Sequence, residues 1–226
     1  MGKNIEIKDG IKHLILCEGV DEKNFFIWYL DHYIKKGYDK YNEIQLEDIG
    51  GVNDLEKSIK NWTLVSKFSQ IKTYGVIRDA EKDSESAIQS VRHSFSNIQL
   101  HTSEQCFQLK RNKNGPDTIF GILPGIKTNN KWENGTLEDL CLKILVDEQS
   151  VSKMDCVDEY LNLTQNKHKY EITHLHKSRL HTFLSSNDKY IGSKIGEAAR
   201  IGAFDFENDI LSNFKNMFDS IVGYQY

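Results

Sequence analysis

The sequence predicts an α/β protein: a mostly parallel sheet with helices on both faces, and a helical C-terminal extension. Short apolar runs alternate with amphipathic helical patterns through the first half of the chain, as in parallel strands joined by covering helices. The runs at residues 13–18 and 118–125 indicate buried strands, the first of them buried on both faces. Residues 1–150 form the predicted core, and residues 151–226 form the extension that packs on it as one structural unit.

The first strand is predicted at residues 13–18, HLILCE, a short apolar run that ends in an acid. Asp21 follows as the predicted N-cap of a helix, because its short side chain can accept a hydrogen bond from a free amide of the first turn. The apolar face of this helix consists of Phe25, Trp28 and Tyr29.

Two further strands follow the same pattern. Residues 43–51, EIQLEDIGG, form the second strand, and Asn53 or Asp54 caps the helix after it. Residues 71–81, IKTYGVIRDAE, form the third strand, which again ends in acids. A helix is predicted from about Asp83.

The second half begins with residues 98–111, which are predicted to form one or two strands, and residues 118–125, TIFGILPG, which form another buried strand. Thr136 is the predicted N-cap of the next helix, with Asp139 in a capping-box position. Helices continue from there, with a turn at residues 185–194 and a final amphipathic helix.

Composition narrows the class of protein. The chain has 226 residues and a net charge of −4, which gives no overall basic signal for nucleic acid. No apolar run approaches the roughly 18 residues of a membrane span, and the N-terminal residues lack an apolar signal core, so no membrane association and a cytoplasmic location are expected. The four cysteines are widely spaced without a CxxC pair, which indicates reduced thiols.

The charge is unevenly distributed. Residues 166–200 contain seven Lys or Arg and three Asp or Glu, whereas the remainder contains 22 basic and 30 acidic residues. Two interpretations stay open, a phosphate-binding face beside an acidic metal site and an ordinary solvated helix surface.

Acidic residues follow the predicted strands. In an open α/β sheet, chemistry collects beyond the carboxyl ends of the strands, where we expect Glu18, Asp21, Asp79, Glu81 and Glu138. Gathered carboxylates repel one another unless a cation joins them, and Mg²⁺ or Mn²⁺ prefers oxygen ligands. These five residues are therefore the predicted metal ligands. Structural alternatives remain for three of them: Asp21 and Glu81 as helix-cap residues, and Glu138 as a charge that favours a helix N-terminus.

The motif LILCEGVDEKNFF at residues 14–26, followed by GVIRDAE at residues 75–81, resembles the toprim domain. That domain is shared by topoisomerases, bacterial primases, small RNA-maturation nucleases and the overcoming-lysogenization-defect (OLD) nucleases. Its pattern is a Glu-Gly pair after the first strand and an Asp-x-Asp pair after the third. The later segments ILPG and NGTLEDL, and the tail from KSRLH to AFDF, resemble a group of short stand-alone toprim-like proteins of unassigned function.

The resemblance implies roles for single residues. Glu18 would be the catalytic acid/base or a ligand, Asp79 and Glu81 would be metal ligands, and Glu138 would be an additional ligand as in the OLD-type nucleases; Glu18 and Asp79 are the predicted catalytic pair. One departure is that Glu81 stands where the pattern has aspartate, which moves the carboxylate by about a bond length.

Missing features narrow the function. A topoisomerase needs a separate tyrosine-bearing domain, and 226 residues leave little space for one. A bacterial primase would carry a zinc ribbon, but the sequence has no CxxC pair. An ATPase would carry a GxxxxGK[ST] motif, which the sequence also lacks. The predicted function is a Mg²⁺- or Mn²⁺-dependent nuclease that cleaves DNA or RNA, and the resemblance implies a place in phage defence or mobile elements. Two alternatives stay open: a non-catalytic module that binds nucleic acid or a partner, and an effector that cleaves only when a partner such as an ATPase activates it. A monomer and a homodimer both stay open.

Four further residues are candidates for nucleic-acid binding. Lys177 and Arg179 lie in the basic segment and could contact phosphates. Gly50 and Gly51 could let a nucleic-acid backbone approach closely, or they simply turn the chain. The neighbouring His174, His176 and His181 are a weaker candidate for a zinc site, because no acid or cysteine accompanies them.

Overall fold

The computed structural model describes residues 5–51, 55–146 and 150–224. Its main sheet has four parallel strands in the order β2-β1-β3-β4. The strands are β1 (His13–Cys17), β2 (Ile44–Asp48), β3 (Thr73–Asp79) and β4 (Asp117–Leu123). The predicted α/β class with a parallel sheet is therefore confirmed.

The strand order creates a switch point at the centre of the sheet. From β1 the chain moves outward to β2, and it then crosses to the other side of β1 to form β3 and β4. The carboxyl ends of β1 and β3 are therefore adjacent where the direction of winding reverses, and ligands of open α/β sheets bind at this place.

Helices cover both faces of the sheet. The helices are α1 (Val20–Ile34), α2 (Leu55–Thr63), α3 (Ser84–Ser96), α4 (Leu137–Lys143), α5 (Ser150–His168), α6 (Leu175–Ser185), α7 (Ile195–Arg200) and α8 (Ser212–Val222). Helices α2 and α3 bury their apolar residues on one face, together with Leu14 and Val76. Helix α1 packs on the other face with α4, α6, α7 and α8.

The C-terminal helices share a hydrophobic core with the first half of the chain. The ring of Phe26 in α1 lies 4.9 Å from that of Phe214 and 5.8 Å from that of Phe218, both in α8. Helix α7 crosses α1 so closely that a β-carbon added at Gly196 would lie 2.4 Å from the Cβ atom of Asn24. The C-terminal extension therefore packs directly on the sheet-covering helix.

Several predicted helix starts are confirmed. Asp83 is the N-cap of α3, and its carboxylate accepts a hydrogen bond from the Ser86 amide at 3.1 Å. Thr136 is the N-cap of α4, and Asp139 accepts a hydrogen bond from the Thr136 amide at 2.9 Å, as in a capping box. The predicted caps Asn53 and Asp54 lie outside the described residues.

Two predictions about local structure are wrong. The N-cap of α1 is Gly19 and not Asp21, because the helix begins as soon as β1 ends and the Gly19 carbonyl already accepts from the Lys23 amide at 3.2 Å. Asp21 lies in the first turn. No strand forms within residues 98–111: Phe107 has a left-handed φ of 63°, which interrupts an extended course, and only short contacts with β4 remain.

A small antiparallel pair, β5 (Lys127–Thr128) with β6 (Lys131–Trp132), follows β4 and was not predicted. Among the described residues, 3₁₀ segments lie at Asp39–Glu43, Phe68–Gln70 and Asp209–Leu211. In the described part of the chain, no helix combines the length and apolar character needed to cross a membrane.

A buried ion pair anchors α8. The carboxylate of Asp219 is 3% exposed; it accepts a hydrogen bond from the Tyr41 hydroxyl at 2.7 Å and lies 2.5 Å from the Lys215 ammonium. Lys215 also lies 4.2 Å from the ring centre of Tyr38. Because removal of one partner of such a pair leaves the other charge uncompensated, the pair is costly to break.

We expect Asp219→Ala to lower the free energy of unfolding by about 3 kcal/mol or more, measured by urea denaturation. Asp188→Ala is the matched control, since Asp188 is exposed and its substitution should change stability by less than about 0.5 kcal/mol. Equal stabilities of the two variants would contradict this role of Asp219.

Candidate metal centre

Backbone hydrogen bonds place Glu18 and Asp79 side by side. Glu18 directly follows β1, and its amide donates to the Ile77 carbonyl of β3 at 3.0 Å. Asp79 is the last residue of β3, and its amide lies 3.3 Å from the Glu18 carboxylate oxygen Oε2. The backbone hydrogen bonds between β1 and β3 therefore continue to Glu18, and the Glu18 side chain then meets the Asp79 amide.

The segment before α4 is tied to the end of β3. Glu81 and Gly135 exchange two backbone hydrogen bonds of 2.9 and 2.8 Å. Glu81 has a φ of 54°, a conformation that non-glycine residues adopt rarely. The amide of Leu137, the first residue of α4, donates to Asp79 Oδ1 at 3.0 Å. Helix α4 thus begins directly at the carboxylate of Asp79, and Glu138 in its first turn is brought to the same place.

Three predicted ligands meet at this point. Glu18, Asp79 and Glu81 each offer a carboxylate oxygen, and these oxygens all lie within 4.8 Å of one another. No other group of three or more such ligands occurs in the described ranges, so the histidines His174, His176 and His181 do not form one.

Two more carboxylates stand next to these three. Glu138 is buried with 6% exposure, and Glu22 in the first turn of α1 is 9% exposed. We use "carboxylate cluster" for the five residues Glu18, Glu22, Asp79, Glu81 and Glu138. A β-carbon added at Gly19 would lie 2.6 Å from the Glu22 carboxylate, so the glycine of the Glu-Gly pair leaves space for this carboxylate.

Burial and mutual repulsion perturb the cluster. Burial raises the pKa of Asp79 well above its usual range, and the charges of Glu22 and Glu18 act in the same direction. Burial likewise raises the pKa of Glu22 to about 7, assisted by the charge of Glu138. Burial also raises the pKa of Glu18, which the charge of Arg78 partly opposes. The fold therefore holds Asp79, Glu22 and Glu18 together in a place where their protonated forms are favoured.

Two cations border the cluster. The Arg78 Nε atom lies 3.6 Å from Glu18 Oε2, and the Lys177 Nζ atom lies 3.7 Å from Glu138 Oε1. Lys177 comes from α6, so the C-terminal extension contributes directly to this site. Five carboxylates against two cations leave a surplus of negative charge when all are ionised.

Four other predicted site residues are not part of the carboxylate cluster. Asp21 is not part of the group whose oxygens lie within 4.8 Å. Arg179 makes two hydrogen bonds of 2.6 and 2.8 Å to Asp158 of α5, so a phosphate would compete with that carboxylate. Gly50 and Gly51 have φ values of 80° and 116° and turn the chain, and the Gly51 amide donates to the Glu18 carbonyl at 2.9 Å.

Sequence reasoning missed Glu22 and Arg78. Glu22 follows Glu18 by four residues, and a helix beginning directly after Gly19 would have placed it beside the strand end. Arg78 was hidden within an apolar strand, although a buried arginine needs a negative partner. Cys17, by contrast, is fully buried as expected, and burial raises the pKa of its thiol.

The donor set fits a hard divalent cation. All its ligands are carboxylate oxygens, as Mg²⁺ and Mn²⁺ prefer. Two oxygens bound to one Mg²⁺ lie at most about 4.2 Å apart, so the three carboxylates, which lie within 4.8 Å of one another, could reach one ion after small side-chain movements. A cation would also relieve the carboxylate repulsion that adds to burial in raising the pKa of Asp79.

The raised pKa of Glu22 predicts a pH dependence of stability. Its carboxyl holds a proton more tightly in the folded than in the unfolded chain, so stability decreases as pH rises from the usual value of 4.5 toward about 7. In metal-free protein, we expect Glu22→Gln to remove roughly 1–3 kcal/mol of the stability loss between pH 5 and pH 8.

Urea denaturation at both pH values measures this difference, and Glu104→Gln, at an exposed acid, is the control. Identical pH dependences for the parent and Glu22→Gln would show that Glu22 is not held against the cluster.

One family of known proteins is similar to most of this chain. The model of a family described as "Protein of unknown function (DUF3226)" matches residues 12–223, a range that spans the core and the extension. No curated protein and no solved structure matches the chain. The chain belongs to the DUF3226 family of proteins of unknown function.

Proposed function

We propose that this protein is a nuclease that depends on Mg²⁺ or Mn²⁺ and hydrolyses phosphodiester bonds of DNA or RNA. The observation that carries the proposal is the meeting of Glu18, Asp79 and Glu81 within 4.8 Å at the switch point of the sheet. The resemblance to toprim domains supports the same reaction. The proposed setting is phage defence in the cytoplasm.

Each residue of the carboxylate cluster has a proposed role. Asp79, oriented by the Leu137 amide, would hold the cation together with Glu81 and Glu18. Glu22 and Glu138 would extend the ligand set on the side of α1 and α4. Bound Mg²⁺ or Mn²⁺ would activate water and offset the negative charge that develops on the phosphate. Glu18 would accept the proton of the attacking water.

Lys177 is suited to contact the substrate. Its side chain is 54% exposed, and its ammonium lies at the edge of the cluster. When a cation neutralises Glu138, the lysine becomes available to a phosphate oxygen, and such contacts weaken as salt displaces them. The same argument does not extend to Arg179, which Asp158 already occupies.

The first test is a metal titration with plasmid DNA, single-stranded DNA and structured RNA, in Mg²⁺, Mn²⁺ or EDTA. We expect cleavage that requires the divalent ion and decreases at least about 100-fold in Glu18→Ala and in Asp79→Ala, because each variant loses an oxygen that holds the ion. Glu104→Ala, at an exposed acid, should cleave like the parent.

Full activity of both cluster variants would contradict the site. Metal binding without cleavage of any substrate would favour an effector that requires a partner such as an ATPase. Absence of both would favour a module that binds nucleic acid or a partner without turnover.

A second test concerns Lys177. We expect Lys177→Ala to weaken oligonucleotide binding and to reduce the slope of log affinity against log salt concentration by about 0.7–0.9, the loss of one phosphate contact. Fluorescence anisotropy in Ca²⁺ measures both quantities, with Lys167→Ala as the control at an exposed lysine. An unchanged slope would assign Lys177 to the ion pair alone.

A further inference from the structure

Arg78 is a buried cation at the edge of the carboxylate cluster. It precedes Asp79 in β3, and only 8% of its side chain is exposed. Side chains of neighbouring residues in a strand point to opposite faces, so Arg78 approaches the cluster from the face covered by α2 and α3. Its Nε group donates to the Asp79 carbonyl at 3.2 Å, which anchors the base of the guanidinium.

The guanidinium has only a partial electrostatic partner. Its Nε atom is 3.6 Å from Glu18 Oε2, beyond the usual length of a hydrogen bond. Within residues 5–51, 55–146 and 150–224, neither terminal Nη group makes a hydrogen bond. Neither of these two nitrogens is wholly enclosed by the protein. The terminal donors of Arg78 thus have hydrogen-bonding capacity that no group in the described residues uses.

A divalent cation bound by the carboxylate cluster would make the position of Arg78 unfavourable unless an anion also bound there. An arginine stays protonated at any physiological pH, and a cation held by Glu18 would repel it while weakening the attraction of that carboxylate. A phosphate group removes both costs, because its oxygens can contact the cation and accept two parallel hydrogen bonds from a guanidinium. A cation site beside a guanidinium with unused donors therefore matches a phosphate ester better than a neutral ligand.

We propose that Arg78 binds the phosphate group of the substrate, with its terminal nitrogens, beside the carboxylate cluster. This inference rests on the proposed function and adds the group that would recognise the phosphate from the α2 and α3 side. Lys177 lies near Glu138, on the side of α4 and α6. The phosphate would then lie between a fixed guanidinium and a movable ammonium.

The test separates phosphate binding from cation binding. Mn²⁺ affinity is measured by isothermal titration calorimetry for the parent, Arg78→Met, Arg78→Lys and Glu18→Ala. Binding of a short fluorescein-labelled single-stranded DNA, and of RNA of the same sequence, is measured by anisotropy in Ca²⁺. Arg92→Met is the matched control, because Arg92 is an exposed arginine in α3, and thermal unfolding establishes that each variant is folded.

We expect Arg78→Met to bind Mn²⁺ as tightly as the parent or more tightly, since a repelling charge is removed. It should bind the oligonucleotide about tenfold or more weakly, as for a lost charge-assisted contact. Arg78→Lys should fall between the two, because it keeps the charge and loses the fork. If Arg78→Met does not fold, the lysine variant decides: parent-like oligonucleotide binding in Arg78→Lys overturns a role for the fork.

Four further results would overturn the inference. A tenfold loss of Mn²⁺ affinity in Arg78→Met would show that Arg78 positions Glu18 for the cation. Unchanged binding of both ligands would leave Arg78 as a structural charge. Parent-like Mn²⁺ affinity in Glu18→Ala, or no binding of either ligand by the parent, would instead overturn the proposed function and the Arg78 inference with it.

Discussion

Repulsion among carboxylates at the centre of the sheet is the constraint on which the rest of this structure depends. Parallel pairing of β1 with β3 brings Glu18 and Asp79 together, and burial prevents water from screening their charges. Asp79 is only 8% exposed, and its raised pKa records the cost. The backbone resists this repulsion with hydrogen bonds to the acids themselves, from the Leu137 amide to Asp79 and from the Asp79 amide to Glu18. Such a local free-energy cost at the switch point of a sheet is typical of a functional site.

The same constraint explains why the site depends on the C-terminal half of the chain. Residues after β4 return to the end of β3 through the paired backbones of Glu81 and Gly135, and α4 then begins against Asp79. Helix α6 contributes Lys177, and α7 and α8 pack on α1, whose first turn carries Glu22. The two cations near the cluster come from different halves, Arg78 from β3 and Lys177 from α6.

Local patterns predicted much of this arrangement. Short strand-like segments identified all four strands of the sheet, and capping residues identified the starts of α3 and α4. The predictions that are wrong depend on backbone geometry that side-chain patterns do not report. Gly19 begins α1 two residues before the expected cap, and the positive φ of Phe107 interrupts the strand predicted within residues 98–111. Glu22 escaped notice for the first of these reasons, because a later helix start would have directed it elsewhere.

The sequence by itself determined which strand each acid follows: Glu18 comes after the first strand, and Asp79 and Glu81 come after the third. It also predicted that they lie at one edge, since parallel strands place their carboxyl ends there, but the pairing of β1 with β3 makes them neighbours. The sequence suggested Glu138, Lys177 and Arg179 as further site residues, and only the tertiary structure decided which of them join the acids. The bond between Leu137 and Asp79 brings Glu138 to the cluster, the docking of α6 brings Lys177, and Asp158 engages Arg179 away from it. Such choices depend on contacts between residues far apart in the chain, for which single-sequence periodicity carries no information.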